Sequence, residues 1–496
     1  MSPLPMRAHI IPTAFNRLTL GLLTTSVLLT QPVLVSAHAE AMPVDQNGVQ
    51  NNDSRPETIQ LQTGILKSET LPIDLATVLA LADRQNLLIA RQSKNSEIMA
   101  NRAWQRGAAL LPNIEGSYNQ SRLEGGQQIF GEVVTVVRKT AQPQLTASWT
   151  LYPGGRNVYE LLAARQRSKA AESTMAGTRQ EQLALAAGDY YSLLAAYQQR
   201  TVVQRNLAEA QEQININQAR VDVGNGIPLD LSRAKTTYAQ QQSAMIEADN
   251  AVALAEQTLL NRLNLDVDVH LTPDEREARE NTLLQTPTTV NALIGIAVAS
   301  NPTLAASAET LKAIGHDYRT VRSDLIPSVT LRSYVNGTGP DLQNLTRTTF
   351  GGLTVNINLL DNLGLQTPLR MQEQKKLMAQ QELVRQAEKR DIETAVSSAY
   401  LSSETYRQAM AAADTAVQSA EESYELATGR FQAGYGVNLD VLTALSELAA
   451  ARKSRIDAIL NYNRAQVQLL SALGVATPET LVNGWQPTNA KGNATP

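Results

Sequence analysis

One glycine-rich break is written twice in this chain. The stretch ARVDVGNGIPLDLS begins at Ala219 and GRFQAGYGVNLDVL begins at Gly429. Arg220, Gly224, Gly226, Leu229 and Asp230 fall in register with Arg430, Gly434, Gly436, Leu439 and Asp440, at a constant offset of 210 residues. The first break closes a run without proline that extends from Pro153 to Pro228, and the second lies inside one from Pro368 to Pro478. At about 1.5 Å per residue, a single helix from Asn157 to Val223 would reach roughly 100 Å, far more than a globular domain needs. Apolar positions there recur at near-heptad spacing (Leu183, Tyr190 and Tyr197, with Ala187 and Leu194), interleaved with Gln, Arg and Glu. The pattern predicts a very long helix, a reversal at glycines that supply φ > 0, and a returning helix. Asp230 and Asp440 fall at the start of that returning helix, where a carboxylate meets the positive end of the dipole.

The duplication extends beyond the tips. RQNLLIARQ around Asn86 is matched by ASNPTLAAS around Asn301, and LLPNIEGSY at Pro112 by LIPSVTLRSYV at Pro327, both at an offset of 215. Proline stops a helix and hands over to extended chain, and the period changes there. Val329, Leu331, Ser333 and Val335 alternate with Thr330, Arg332 and Tyr334. QLTASWTLY (Leu145, Ala147, Trp149, Leu151 against Thr146, Ser148, Thr150, Tyr152) and GLTVNINLL (Leu353, Val355, Ile357, Leu359 against Thr354, Asn356, Asn358) alternate likewise. One face is apolar and the other is Thr, Ser and Asn. Four strands are too few to close a barrel in one chain. Phe130, Trp149, Tyr152, Tyr334 and Phe350 are expected near strand ends, as barrel-interface aromatics or as plain packing.

Composition narrows the function. The chain has no cysteine, which excludes disulfides, thiolate metal sites and a cysteine nucleophile. Of the four histidines, His9 and His38 lie near the N-terminus, and His270 and His316 are far apart, as surface or packing residues would be. No catalytic residue, cofactor site or metal site is expected. Arg7 and Arg17 precede the apolar run Leu18–Leu29, and Ser36-Ala37-His38-Ala39 offers a cleavage site after Ala39, so residues 1–39 read as a signal peptide. Its removal changes the formal charge from −4 to about −6, against a nucleic-acid partner. No other window has the roughly twenty apolar residues of a transmembrane helix, so any membrane crossing would be by strands. The expected organisation is a signal peptide (1–39), a polar lead-in (40–70), a first repeat (71–265, hairpin at about 112–153, tip 224–230), a linker (266–286), a second repeat (287–476, hairpin at about 327–360, tip 434–440) and a C-terminal tail (477–496).

This layout resembles the TolC family of outer-membrane channel proteins, also called outer-membrane efflux proteins, from about Leu71 to Val475. The resemblance rests on the Asn86 and Asn301 turns, the Leu111-Pro112 and Ile326-Pro327 steps, Leu151-Tyr152-Pro153-Gly154-Gly155, and the RFxxGxxxxxDVL tip at Arg430–Leu442, in that order. It implies a mixed α and β membrane protein: a homotrimer whose four strands per chain give a twelve-stranded barrel in outer-membrane lipid, continued by a helical coiled-coil tunnel across the periplasm. It also implies a passive exit duct, for efflux or type I secretion, served by a periplasmic adaptor and an inner-membrane pump of RND, ABC or MFS type. Under the resemblance the adaptor docks at the tip turns, which hold Gly224, Gly226, Gly434, Gly436, Arg220 and Arg430. Phe431 and Asp440 match the entrance constriction, with Asp230 a weaker candidate; three copies of Asp440 would form a cation-selecting ring. The alternative is that both aspartates only cap helices. The chain departs from some members at Thr443, where those carry a second aspartate, and Phe431 lacks a tyrosine's hydroxyl. A periplasmic coiled-coil scaffold would explain the helices but not the strands. An enzyme is disfavoured because GxSxG, HExxH and a phosphate loop are all missing from the sequence.

Overall fold

The structure, a computed structural model, describes residues 70–129, 131–266, 268–284, 289–357 and 364–487. The expected signal peptide, all but the last residue of the lead-in, Phe130 and residues 358–360 of the last alternating run lie outside those residues. The described chain begins with strand β1 (Thr70–Ile73) and helices α1 (Leu75–Gln85) and α2 (Leu87–Ala108). Strands β2 (Asn113–Ile129) and β3 (Glu132–Tyr152) lead into helices α3 (Arg156–Asp222) and α4 (Pro228–Leu263). After β4 (His270–Pro273) and a short 3-10 turn, α5 (Val290–Ser300), α6 (Pro302–Ser323), β5 (Ser328–Thr338), β6 (Thr346–Asn356), α7 (Gln366–Gln432) and α8 (Asn438–Ala472) follow, and α9 (Pro478–Asn483) ends the series.

The asparagine turns have a direct cause. Asn86 leaves the helical region at ψ 120° and its Oδ1 accepts from the N–H groups of Leu88 and Ile89, so it starts α2 as it ends α1. Asn301 has ψ 122° and accepts from Thr303, with Pro302 at the first helical position. No single described helix is long and apolar enough to cross a membrane; α5 and α6, bent by 45° at Asn301, pass that test only as a pair.

Helices α3 and α7 are each 67 residues long, about 100 Å at 1.5 Å per residue. They pack against α4 and α8 as helical hairpins. The apolar core lies partway along them, where Leu183, Tyr190 and Leu194 of α3 meet Leu259 and Leu263 of α4 and Leu470 of α8. Two elements without any sequence period complete it. β1 and β4 pair in parallel (Thr70↔His270 to Ile73↔Pro273), and Thr477 caps α9 through a capping box so that Leu481 is buried. Four-residue strands show no readable alternation, and their partners lie 200 positions apart, so the segment read as a linker holds a strand.

The main sheet has the order β2-β3-β5-β6 with every pairing antiparallel. Register places Trp149, Leu331 and Leu353 in one row and Leu145, Val335 and Thr349 in another, all on one face. That face is largely uncovered: Ile114, Leu145, Leu331, Leu353 and Val355 are all exposed. The opposite face carries Ser148, Arg332 and Thr330.

Two expectations for the aromatics change. The register skips Leu151, so Tyr152 pairs with Val329 and joins the apolar-face series instead of the Thr/Ser face that simple alternation gave it. Trp149 and Tyr152 do lie at the helix-proximal end, and Trp149 Nε1 donates to the Leu110 carbonyl at 3.0 Å. Tyr334 and Phe350, in contrast, stack at 5.1 Å in mid-strand on the polar face. The β-branched Thr346, Thr348 and Thr349 extend β6 outward, which moves Phe350 away from a strand end.

Candidate functional site: the two helical tips

Both tips are Schellman turns. In the first, Gly224 N–H donates to Val221 O (2.9 Å) and Asn225 N–H to Arg220 O (2.9 Å). In the second, Gly434 N–H donates to Phe431 O (3.1 Å) and Tyr435 N–H to Arg430 O (3.0 Å). Gly224 and Gly434 sit at φ +80° and +83°, the left-handed region where a side chain is strained. Gly226 and Gly436 are not at positive φ, which corrects the reading that all four supply that conformation. They are glycine because the chain folds back on itself: a Cβ would stand 2.5 Å from Val221 N at Gly226 and 2.9 Å from Phe431 N at Gly436.

The two tips differ in what they present. Asp230 and Asp440 both lie in the first turn of their helices. The Asp230 carboxylate is half-buried and 3.7 Å from Arg233, while Asp440 is exposed. Tyr435, between the second pair of glycines, is 92% exposed, and Val223, Ile227, Leu229, Val437 and Leu439 are exposed beside the turns. Phe431 is instead buried at 4% exposure. The cause is Arg220, whose guanidinium stacks 4.4 Å from the ring centroid and whose Nη1 donates to Phe431 O at 2.7 Å. Arg430, its counterpart in the other tip, is exposed.

A second link was not read from the sequence. Asn217 Nδ2 donates to Asn438 Oδ1 at 2.9 Å, and Asn438 Nδ2 to the Asp230 carbonyl at 3.3 Å. Both asparagines are buried, at 3% and 0% exposure. A signal existed: Asn438 stands where the repeat offset places Pro228, so it breaks the duplication at its most regular point. Farther up the α3–α8 seam Arg452 is 3.2 Å from Glu209 and 3.4 Å from Asn206, and beyond that the seam becomes apolar. The hairpins are therefore joined by hydrogen bonds and charge at the tips and by hydrocarbon at the core. Among the described residues no group of three or more metal-ligating side chains is present.

Long helical hairpins, a strand sheet with an exposed apolar face, and paired tips define the class of outer-membrane efflux channels. The sequence profile of the outer membrane efflux protein family matches residues 77–265 and 293–475, so the chain belongs to that family, to which the TolC proteins are related. It is 25% identical over 380 residues to the outer membrane efflux protein BepC of Brucella suis, covering 75% of this chain and 79% of BepC. It is 23% identical over 441 residues to the pyoverdine export outer membrane protein OpmQ of Pseudomonas aeruginosa, covering 86% and 85%. The fold is shared with the open state of the MtrE outer membrane channel of Neisseria gonorrhoeae, at a TM-score of 0.69 and 19% identity over 82% of this chain and 90% of that one.

Proposed function

We propose that the protein is the passive outer-membrane exit duct of a tripartite efflux or type I secretion system. Three copies would join their four-stranded sheets edge to edge into a twelve-stranded barrel in outer-membrane lipid. The observation that carries this is the sheet itself: its apolar face is exposed, its opposite face is polar, and among the described residues β2 and β6 end the strand order with unpaired edges. A periplasmic scaffold has no use for such a face. Leu383, Leu401 and Leu426 on α7, and Ile246 and Leu254 on α4, are exposed along the long helices and supply contact area between copies. The two separate segments matched by the family profile support the tandem repeat, with the unit boundaries near 71–265 and 287–476.

The helices then continue the barrel as a periplasmic tunnel with the tips as its entrance. Asp440, exposed in the first turn of α8, supplies a carboxylate per copy to the constriction; Asp230, held by Arg233, contributes less. Phe431 acts from beneath, through Arg220, rather than by lining the aperture. The exposed apolar side chains beside Gly224, Gly226, Gly434 and Gly436 suit a periplasmic adaptor, which an inner-membrane pump would supply with substrate. Conductance in planar bilayers tests the proposal. Small, cation-selective, long-lived openings from a heat-modifiable trimer are expected, and failure of folded protein to insert would sink the barrel.

A further inference from the structure

The outer end of the sheet carries a feature that conduction does not use. On the apolar face the series running outward from Trp149 is Ala147, Leu145, Pro143, Ala141 and then Lys139. Lys139 lies directly opposite Arg122, whereas Arg347, which ends the same face on the shorter hairpin, lies opposite Gly337 in the row of Pro143, inside that pair. All three cations are exposed. Like charges directly opposed across two strands destabilise the pair unless an anion lies between or over them. Glu124 answers Arg122 at 2.9 Å, which leaves the strip with an excess of positive charge. The loop carboxylate of Asp341 accepts from the N–H groups of Gln343 and Asn344.

The spacing matches a bilayer. Ten residues separate Trp149 from Lys139, about 33 Å of strand. At a tilt of about 40° that is about 25 Å of height, the thickness of the lipid-facing band of a barrel. Tyr118, exposed on the same face opposite Pro143, lies within that band, four residues inside Lys139.

We propose that Arg122 and Lys139 form a strip that binds the phosphate groups of lipid headgroups at the outer membrane surface. This rests on the barrel reading above. The probe is spin-labelled phosphatidic acid, compared with spin-labelled phosphatidylcholine, on the full protein reconstituted in phosphatidylcholine. Wild type should prefer the phosphatidic acid by about fivefold or more, since each cation near an anionic surface contributes about that factor. The preference should weaken with salt. It should approach unity in the Arg122→Gln/Lys139→Gln variant. It should persist in Arg138→Gln, which removes a charge from the opposite face of the same hairpin opposite Leu123. Excess inorganic phosphate at constant ionic strength should leave it intact; its loss there would assign the strip to a soluble anion instead. Retention of the preference in the double variant, or equal loss in Arg138→Gln, overturns the proposal. Immobilised phosphatidylcholine without that preference removes this inference alone, whereas no immobilised lipid of either kind removes the barrel with it.

Discussion

Arg220 closes over Phe431: the guanidinium lies 4.4 Å from the ring centroid and Nη1 holds the Phe431 carbonyl at 2.7 Å. One arginine of the first hairpin thus fixes both the side chain and the backbone of the second. A cation over an aromatic ring and a charge-assisted hydrogen bond each contribute on the order of 1 kcal/mol or more. Arg220→Ala should therefore change the ratio of open to closed time in bilayer recordings by roughly tenfold, while Arg430→Ala, whose side chain is exposed, should change it little. Equal effects from the two would show that tip charge, not this contact, governs the entrance.

The buried asparagine pair should act locally. Asn438→Ala removes the acceptor of Asn217 and the donor to the Asp230 carbonyl. Leaving buried polar groups unpaired costs about 1–3 kcal/mol each. Because the apolar core lies farther along the helices, amide hydrogen exchange should accelerate around residues 213–230 and 430–440, with little change around Leu193 or Leu470. Uniform acceleration along the helices would mean that the tips and the core unfold as one unit.

Asp440 and Asp230 separate by environment. With an exposed carboxylate, Asp440→Ala should reduce cation selectivity, read from the reversal potential, and block by trivalent cations. Asp230→Ala should have the smaller effect, since Arg233 already stands 3.7 Å away. If neither variant alters selectivity or block, the acidic ring is not present.

Glu277 gives a pH dependence of defined sign. Burial pushes its carboxyl above the usual carboxylate range, outweighing the hydrogen bonds it accepts from the Tyr190 hydroxyl and the Leu75 N–H, while Asp74 and Asp274 push in the same direction as burial. The folded state therefore holds this proton more tightly than the unfolded chain. Its stabilising contribution is complete below the unfolded value of about 4.5 and is lost as pH rises through the folded value. Asp74, held below its usual range by its bonds to Thr77, has the opposite slope, so the comparison must be a difference. Thermal unfolding of wild type minus Glu277→Gln should fall with rising pH across that window; a flat difference would mean that Glu277 keeps an ordinary carboxylate affinity.

By itself, the sequence determined the parts whose information is local or periodic. The long runs after Pro153 and Pro368 became the bodies of two 67-residue helices, Asn86 and Asn301 became helix-to-helix turns, and alternation after Pro112 and Pro327 became strands, because backbone propensity and a repeating apolar spacing act over neighbouring residues. Tertiary structure alone decided what depends on distant partners or on one extra residue. The skip at Leu151 reassigned Tyr152 to the other face, as only cross-strand register can. The β1–β4 pair joins segments 200 positions apart with no period to announce it. Phe431 and Arg220 each occupy an unremarkable place in their own tip, and only the packing of one hairpin on the other buries the ring under the guanidinium.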